Sequence, residues 1–570
     1  MSSSLLLLAA GIVFAAGYLL YGRYLAKKFG LDPNAQTPAH SLQDNIDYMP
    51  AKWPVLFGHH FASIAGAAPI IGPITAAVFG WVPVFLWIIL GSVFMGAVHD
   101  FTALIASVRH QGKSMGEVIE RYIGTRGKQL FIVFAWSALI LVISAFTILV
   151  VKTFIMTPGV ATASGLFLVL AVAFGFGVYR RNVHLGIATV IGVALLLLCI
   201  WVGISAPAVV SHNAHHAQSI WTWVILGYIF AASVTPVWIL LQPRDYLNSF
   251  LLYIILLAAL AGIFITNPQV KFPAFTGFVN PGMGAMFPIL FVTVACGAIS
   301  GFHSLVASGT TAKQLNKEPD ARPIGYGVML VEGLLAVIAL IAAVTLLPAD
   351  YKAFFPAGGK ADPIGLFASS VGRFMAGIGI PAKAGITFSA MAVSAFALTS
   401  LDTATRLGRF LFQEFFKSAP NKKARALLTN RFFATMCTVV PGGILALTGQ
   451  YQAIWPIFGS ANQLLAALAL LAGSVWLSKL KKKNGFLVVP MVFMFCVTLA
   501  ALVVLVVSKA GALYRYATGT IDSLPMGVSG TVFLLIIAVL LFVLAVVLAV
   551  QAVSAFNRNR GAAAKEAVQG

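Results

Sequence analysis

Charge is what this sequence has least of. Only 9% of its 570 residues are charged, and the acids number sixteen. A soluble domain carries about 25% charged residues, so an ordinary soluble fold is excluded, and so is disorder, which needs low hydrophobicity. Cysteine is scarcer still. Cys199, Cys296, Cys437 and Cys496 stand singly in apolar segments, with no CxxC pair and no histidine at metal spacing. That removes a disulfide framework and a zinc site, and leaves the four as small core residues. No GxxxxGK[ST] phosphate loop occurs, which excludes ATP drive within this chain.

What is present is apolar: 60% of the residues are hydrophobic and 12% aromatic. The net charge of +21, from 37 basic residues, would suit a nucleic-acid partner only if the bases clustered on a polar surface. They sit instead in short breaks between long apolar runs, so no nucleic acid is expected and the lipid bilayer is the implied partner. The pattern predicts an all-α polytopic membrane protein.

A helix needs roughly 20 apolar residues to cross a bilayer. On that measure spans fall near 4–22, 55–80, 83–107, 130–151, 160–179, 183–206, 220–241 and 249–266. Further ones fall near 284–308, 323–347, 384–405, 430–449, 453–478, 485–508 and 529–555, about fifteen in all. With the N-terminus outside, 29 of the 37 basic residues fall in alternate, cytoplasmic breaks and 8 outside, Lys360 among them. This is the asymmetry of the positive-inside rule, and it places the C-terminus in the cytoplasm. The first run has no basic region before it and no convincing cleavage site, so it reads as an uncleaved span. Ser114 to Tyr122 reads as a short surface helix, Ile364 to Phe374 as a re-entrant or interfacial piece, and 556–570 as a disordered cytoplasmic tail.

Two spans carry breakers. The second runs from Gly58 through His59, His60, Ala65, Gly66, Ala67, Pro69 and Gly72 to Pro73, and the seventh has Ser233, Thr235 and Pro236, followed by Pro243. Proline removes a backbone donor, and irregular backbone survives in a membrane only where protein or water surrounds it. Discontinuous helices at corresponding places in two halves point to a transporter's binding site. Spans 2 and 7 are five apart and run in opposite directions. The layout resembles the five-plus-five inverted repeat of LeuT-type symporters, with repeats at 55–206 and 220–405 and extra N- and C-terminal helices.

Ionisable groups inside a bilayer are functional candidates by default. His59 and His60 start the broken span 2, near the end of span 3 that carries His99 and Asp100. This cluster suits either proton coupling or a structural hydrogen-bond network. Asp402 has Arg406 one turn away and can pair with it. Glu332 is mid-span with no partner visible in the sequence. Ser300, His303 and Ser304 in span 9 take the place at which, by the LeuT resemblance, hydroxyls meet the first broken helix at a sodium site. They also suit simple close packing of helices. His212, His215 and His216 read as a solvated loop, and no metal site is expected.

Longer blocks carry a family resemblance. GHHFASIAGAAPIIGP and GAVHDF between Phe57 and Phe101, PVWILLQPRDY from Pro236, CGAISGFHSLVASGTT from Cys296, LTSLDTATRLGRF from Leu398 and WPIFGSANQLL from Trp455 resemble the carbon starvation protein A (CstA) family. The resemblance implies a multi-pass inner-membrane transporter induced on carbon limitation and linked to uptake of pyruvate and, in some members, of peptides. It also implies an N-terminal CstA transmembrane domain, 1–383, and a five-helix C-terminal region, 384–555.

The expected function is therefore secondary active uptake of pyruvate or a related small carboxylate, coupled to protons or sodium, with no cofactor. A peptide transporter of the same fold is the alternative, and a membrane-embedded redox enzyme a remote one. An anionic substrate would meet the positive ends of the half-helices at Ala65, Gly66, Ala67, Ser233 and Thr235, with His303 beside them and no need of a buried arginine. The coupling candidates are His59, His60, His99, Asp100, Ser300, Ser304, Glu332 and Asp402. Pro69, Pro73, Pro236 and Pro243 are the helix breaks.

Overall fold

The computed structural model describes residues 1–44, 47–356, 361–447, 451–524 and 526–569. Lys360 and the end of the span expected at 430–449 lie outside the described residues. Helices account for nearly all of the chain: α1 (Ser3–Phe29), α2 (Trp53–Ile64), α3 (Ala68–Phe79), α4 (Trp81–Arg109), α5 (Met115–Ile123), α6 (Thr125–Met156), α7 (Pro158–Arg180), α8 (Leu185–Ser205), α9 (Ala214–Val234) and α10 (Leu241–Thr266). A small hairpin, β1 (Val279–Asn280) with β2 (Gly284–Ala285), precedes the second half. There follow α11 (Met286–Thr293), α12 (Gly301–Gly309), α13 (Glu318–Val344), α14 (Pro363–Ala376), α15 (Ala382–Phe416), α16 (Lys422–Leu428), α17 (Arg431–Leu447), α18 (Tyr451–Lys479), α19 (Gly485–Ala517) and α20 (Gly527–Gln569).

Among the described residues, twelve helices are long and apolar enough to cross a membrane, or fourteen if each bent pair is one span. The remaining expected run, near 284–308, is split into α11 and α12. The expectation of disorder at 556–570 differs from the backbone, which continues as helix to Gln569.

The short helix α5 starts where the sequence places it. Ser114 caps it by accepting a hydrogen bond from the Glu117 amide, the Ser-x-x-Glu arrangement that satisfies the first free donors. The segment expected to be re-entrant is α14, whose Leu366, Phe367 and Val371 are buried and which packs along α15.

The break expected in span 2 is present. α2 ends at Ile64, α3 begins at Ala68, and the two are bent by 45°. Pro69 falls in the first turn of α3, where its missing donor costs nothing, and Pro73 lies inside that helix. The break expected within span 7 falls instead at its end. α9 stops at Val234, and Thr235–Leu240 form a turn holding Pro236. Leu241 then opens α10, with Pro243 in its first turn.

The second internal interruption is one the prolines do not mark: Val294–Ser300, between α11 and α12. Its loose carbonyls are met by side chains from elsewhere. Trp87 Nε1 donates to Val294 O at 3.2 Å and Ser92 Oγ to Gly297 O at 3.0 Å, both from α4. Asn462 Oδ1 of α18 accepts from the Phe302 amide at 2.8 Å. Irregular backbone is tolerated at this depth because protein surrounds it on every side.

Candidate functional site

Two networks of buried ionisable side chains stand out among the described residues. The first joins α4, α12 and α13. His99 Nδ1 lies 2.7 Å from Asp100 Oδ1, and Asp100 Oδ2 lies 2.8 Å from His303 Nδ1. The other ring nitrogen of His303 is 3.4 Å from Glu332 Oε2. All four residues are at most 1% exposed, and no lysine or arginine takes part. Two carboxylates and two imidazoles thus share one dry setting with no fixed cation to balance them. Glu332, which has no partner visible in the sequence, lies at ion-pair distance from His303, with no hydrogen bond between them.

The second network joins α2, α9, α10 and α15. His59 Nδ1 lies 2.9 Å from Asp245 Oδ2, and Ser63 Oγ reaches the same oxygen at 3.4 Å. Arg244 donates through Nη2 to Asp245 Oδ1 at 2.8 Å, and through Nη1 to Asp402 Oδ2 and to the Tyr228 hydroxyl. Tyr228 in turn donates to Asp402 Oδ2. Beyond this, Gln314 bonds Gln242 and reaches towards His59 Nε2 at 3.5 Å.

These contacts correct three expectations. His59, His60, His99 and Asp100 do not form one hydrogen-bonded network, because successive residues of α2 point about 100° apart. His59 joins Asp245, His60 Nδ1 bonds Thr311 at 2.8 Å, and His99 with Asp100 faces α12. Asp402 does not pair with Arg406. It takes the guanidinium of Arg244, while Arg406 donates to the carbonyls of Ala232 and Thr235, left free where α9 ends. Arg244 is a helix residue only 2% exposed, so a buried arginine stands at the site after all. Its burial is tolerated because two carboxylates and a hydroxyl answer its donors.

The six residues expected to hold substrate fall in three places. Ala65, Gly66 and Ala67 form the α2–α3 break, where Ser400 Oγ donates to Ser63 O at 3.3 Å. A Cβ on Gly66 would stand 2.5 Å from that hydroxyl, so only glycine permits the approach of α15. Ser233 and Thr235 lie at the end of α9, Ser233 Oγ 3.3 Å from Thr435 Oγ1 of α17. His303 belongs to the first network. Ser300 bonds Asn462 Nδ2 at 3.0 Å, which braces the second interruption, and Ser304 donates to Gly301 O within α12. Tyr228, Arg244, Asp245, Gln314 and Asn462 are among the site members that sequence reasoning missed. Among the described residues, no three His, Cys, Asp or Glu side chains converge as metal ligands. His212, His215 and His216 are exposed.

At the polar end of α12 a cavity of about 270 Å³ is lined by Tyr48, Lys313, Phe410 and Glu414 among others. The Lys313 ammonium lies over the rings of Tyr48 and Phe410 at 5.3 and 4.9 Å from their centroids. Beside it, α5 is tied to its surroundings by Lys128, 2.7 Å from Glu120 and 3.6 Å from Glu414. The hydrogen bond from Lys128 pulls the Glu120 carboxyl below its usual range.

A known family matches almost this whole chain. The family described as "Carbon starvation protein CstA" covers residues 2–361 and 355–501. The chain belongs to the CstA family. Among its curated relatives, "Peptide transporter CstA" of Bacillus subtilis (strain 168) is 33% identical over 87% of this chain and 89% of its own length. "Pyruvate/proton symporter BtsT" of Escherichia coli (strain K12) is 33% identical over 88% of this chain and 81% of its own. "Peptide transporter CstA" of the same strain is 34% identical over 87% and 80%. In fold the chain is similar to the crystal structure of an Eremococcus coleocola manganese transporter, with a TM-score of 0.51 at 13% identity over 91% of this chain and 99% of that one. CstA-family membership, the membrane-spanning helices and this likeness agree on a multi-pass membrane protein.

Proposed function

We propose that this CstA-family chain is a secondary active transporter for pyruvate or a related small carboxylate, coupled to protons across the bacterial inner membrane and serving carbon-starved cells. The observation that carries the reading is the pair of buried networks of carboxylates and imidazoles, one beside the α2–α3 break and one at the half-helix that follows the second interruption. Such groups take up and release protons when the local field or solvent access changes. The relative named as a pyruvate/proton symporter supports it. Labelled pyruvate is to be offered to proteoliposomes under an imposed proton gradient, then under an imposed sodium gradient. Accumulation driven by protons is expected, and accumulation driven by sodium alone would reject proton coupling.

A second reading, peptide uptake, is favoured by the relatives named peptide transporters. Competition by di- and tripeptides in the same assay separates the two, since a peptide site would release pyruvate to them.

The LeuT-like inverted repeat belongs to this proposal, with boundaries moved by the second interruption. Residues 53–266 contain a broken helix (α2–α3), a partner (α4), a short helix before a long one (α5, α6) and a closing pair (α9, α10). Residues 286–479 offer α11–α12, α13, α14 with α15, and α17 with α18 in the same order. The long helices α6 and α15 pack on each other, α10 packs on α2 and α18 on α12, as a two-fold relation requires. The α7–α8 hairpin is then an insertion, and α1, α19 and α20 lie outside the repeats.

A further inference from the structure

The Arg244 network has an arithmetic that the other one lacks. One fixed cation, Arg244, faces two carboxylates, Asp245 and Asp402, so the guanidinium and its two carboxylates together carry one net negative charge. Adding a substrate carboxylate would bury a second, which a site this dry does not sustain. Replacing the Asp402 carboxylate by that of the substrate, with Asp402 protonated, leaves the buried charge unchanged.

The geometry fits such an exchange. Asp245 holds two donors of Arg244 from its own helix, and its other oxygen is engaged by His59 and Ser63. Asp402 reaches Arg244 from a different helix, α15, through one oxygen only. Its second oxygen, Oδ1, is buried without a hydrogen-bond partner. Two more buried polar atoms nearby in sequence lack partners, Thr403 Oγ1 on α15 and Asn248 Oδ1, one turn beyond Arg244 on α10. An orphaned carboxylate oxygen at this depth is costly, and one on a side chain that holds a guanidinium marks a place that a polar guest completes. The place adjoins the α2–α3 break, because Ser63 touches Asp245 and is itself held by Ser400, two residues before Asp402.

We propose that Arg244 is the anchor for the substrate's free carboxylate, and that Asp402 occupies the anchor when substrate is absent. Substrate enters as Asp402 takes one proton and lets go of Nη1, so one proton accompanies each carboxylate. The proposal rests on the carboxylate-transport reading above, and it extends to peptides through their C-terminal carboxylate.

The groups that face Asp402 are Tyr228 from α9, Arg244 and Asp245 from α10 and, behind Asp245, His59 from α2. Arg406 on its own helix is turned to backbone carbonyls. Among the described residues α6, α14 and α17, which also pack on α15, bring Asp402 no ion pair.

The test measures proton uptake on binding of pyruvate, and separately of alanyl-alanine, to the purified full chain by calorimetry in buffers of different ionisation enthalpy. Asp402→Asn is expected to bind with one proton fewer per ligand than wild type and to exchange substrate without concentrating it. Arg244→Lys, which loses the forked geometry, is expected to bind on the order of 100-fold more weakly. Equal proton uptake by wild type and Asp402→Asn, or full binding by Arg244→Lys, overturns the assignment. So does loss of the coupled proton in His59→Gln but not in Asp402→Asn.

If Asp402→Asn fails to fold, Tyr228→Phe decides. Loss of the hydroxyl that steadies the Asp402 anion makes protonation easier, so pyruvate binding is expected to persist to higher pH than in wild type. An unmoved pH midpoint overturns the proposal. A wild type that binds neither ligand sinks the transport reading itself, whereas binding with an unaltered Asp402→Asn sinks only this exchange.

Discussion

Nδ1 of His303 lies 2.8 Å from Oδ2 of Asp100, a contact that ties α12 to α4 across 203 residues of sequence. The same imidazole reaches Glu332 through its other nitrogen, so one ring links two carboxylates, and the link passes through the half-helix that follows the second interruption. Any movement of α12 relative to α4 or α13 breaks one of these contacts.

Replacing Glu332 by Gln removes one carboxylate and leaves the Asp100–His303 bond in place. Glu332 does not touch Arg244, so pyruvate binding is expected to stay within about 2-fold of wild type while proton-driven accumulation falls by roughly 10-fold or more. Parallel measurements of equilibrium binding and gradient-driven uptake check this. Equal losses in both would show that Glu332 acts on the fold.

Asp100→Asn is a harsher change, because it strips His99 and His303 of their shared counter-charge in a site no more than 1% exposed. Breaking one side of a buried ion pair costs about 3–5 kcal/mol. A clear drop in melting temperature in detergent is expected, larger than that of Glu332→Gln. A variant as stable as wild type would mean the cluster is hydrated and weakly paired.

The second interruption depends on Asn462. Its side chain accepts from the Phe302 amide and donates to Ser300 Oγ, both buried. Asn462→Ala leaves these groups unanswered, at about 1–3 kcal/mol for the pair. Gly301→Ala attacks the same joint by sterics, since its Cβ would overlap the Asn462 carbonyl oxygen. Both variants are expected to lower the melting temperature, and normal stability in either would remove α18 as the brace of this break.

Much of this was legible in the sequence, and the rest was not for definite reasons. Apolar length gave the helices, Ser114 gave the start of α5, and the Gly66–Pro69 pair gave the first break, because each is a local rule. The interruption at Val294–Ser300 contains no proline. It exists because Trp87, Ser92 and Asn462, far away in sequence, take over the hydrogen bonding of its backbone. Asp402 offered a local partner in Arg406, yet the end of α9 presents bare carbonyls that draw Arg406 away and leave Asp402 to Arg244. The i,i+4 rule describes an isolated helix, and tertiary contacts overrode it here. His59 and His60 illustrate the same limit, since adjacency in sequence sends their rings to different neighbours.

His110 gives an expectation for pH. It stands just beyond the end of α4, where Nδ1 donates to the Ala106 carbonyl and Nε2 accepts from the Tyr122 hydroxyl of α5. Burial lowers its pKa, with the charges of Arg121 and Lys113 acting in the same direction. The folded chain therefore holds His110 neutral, while the unfolded chain takes a proton near pH 6.5. The docking of α5 is fully supported above that pH and weakens as the pH falls below it, by at most about 1.4 kcal/mol per unit. Melting temperatures at pH 7.5 and 5.5 should diverge more for wild type than for His110→Gln, and identical divergence would clear His110 of the effect.

The closest test of the first break is a compensating pair. Gly66 lies where a Cβ would meet Ser400 Oγ at 2.5 Å and Ser400 Cβ at 3.2 Å, and that hydroxyl is the donor that answers Ser63 O. Gly66→Ala therefore cannot be absorbed by turning Ser400 aside without leaving a carbonyl of the break unanswered in the membrane interior. A loss of uptake of roughly 10-fold is expected, in line with a clash plus one lost buried hydrogen bond. Ser400→Gly on its own loses the hydrogen bond but no packing of consequence. It vacates the space that the added methyl of Gly66→Ala would need, so the double variant should be less impaired than the two single losses multiplied. Residues in such contact couple by about 0.5–3 kcal/mol, which the cycle of four uptake rates resolves. Strictly multiplicative losses would mean that α15 does not press on the break, and that the close approach of Gly66 and Ser400 has no part in the site.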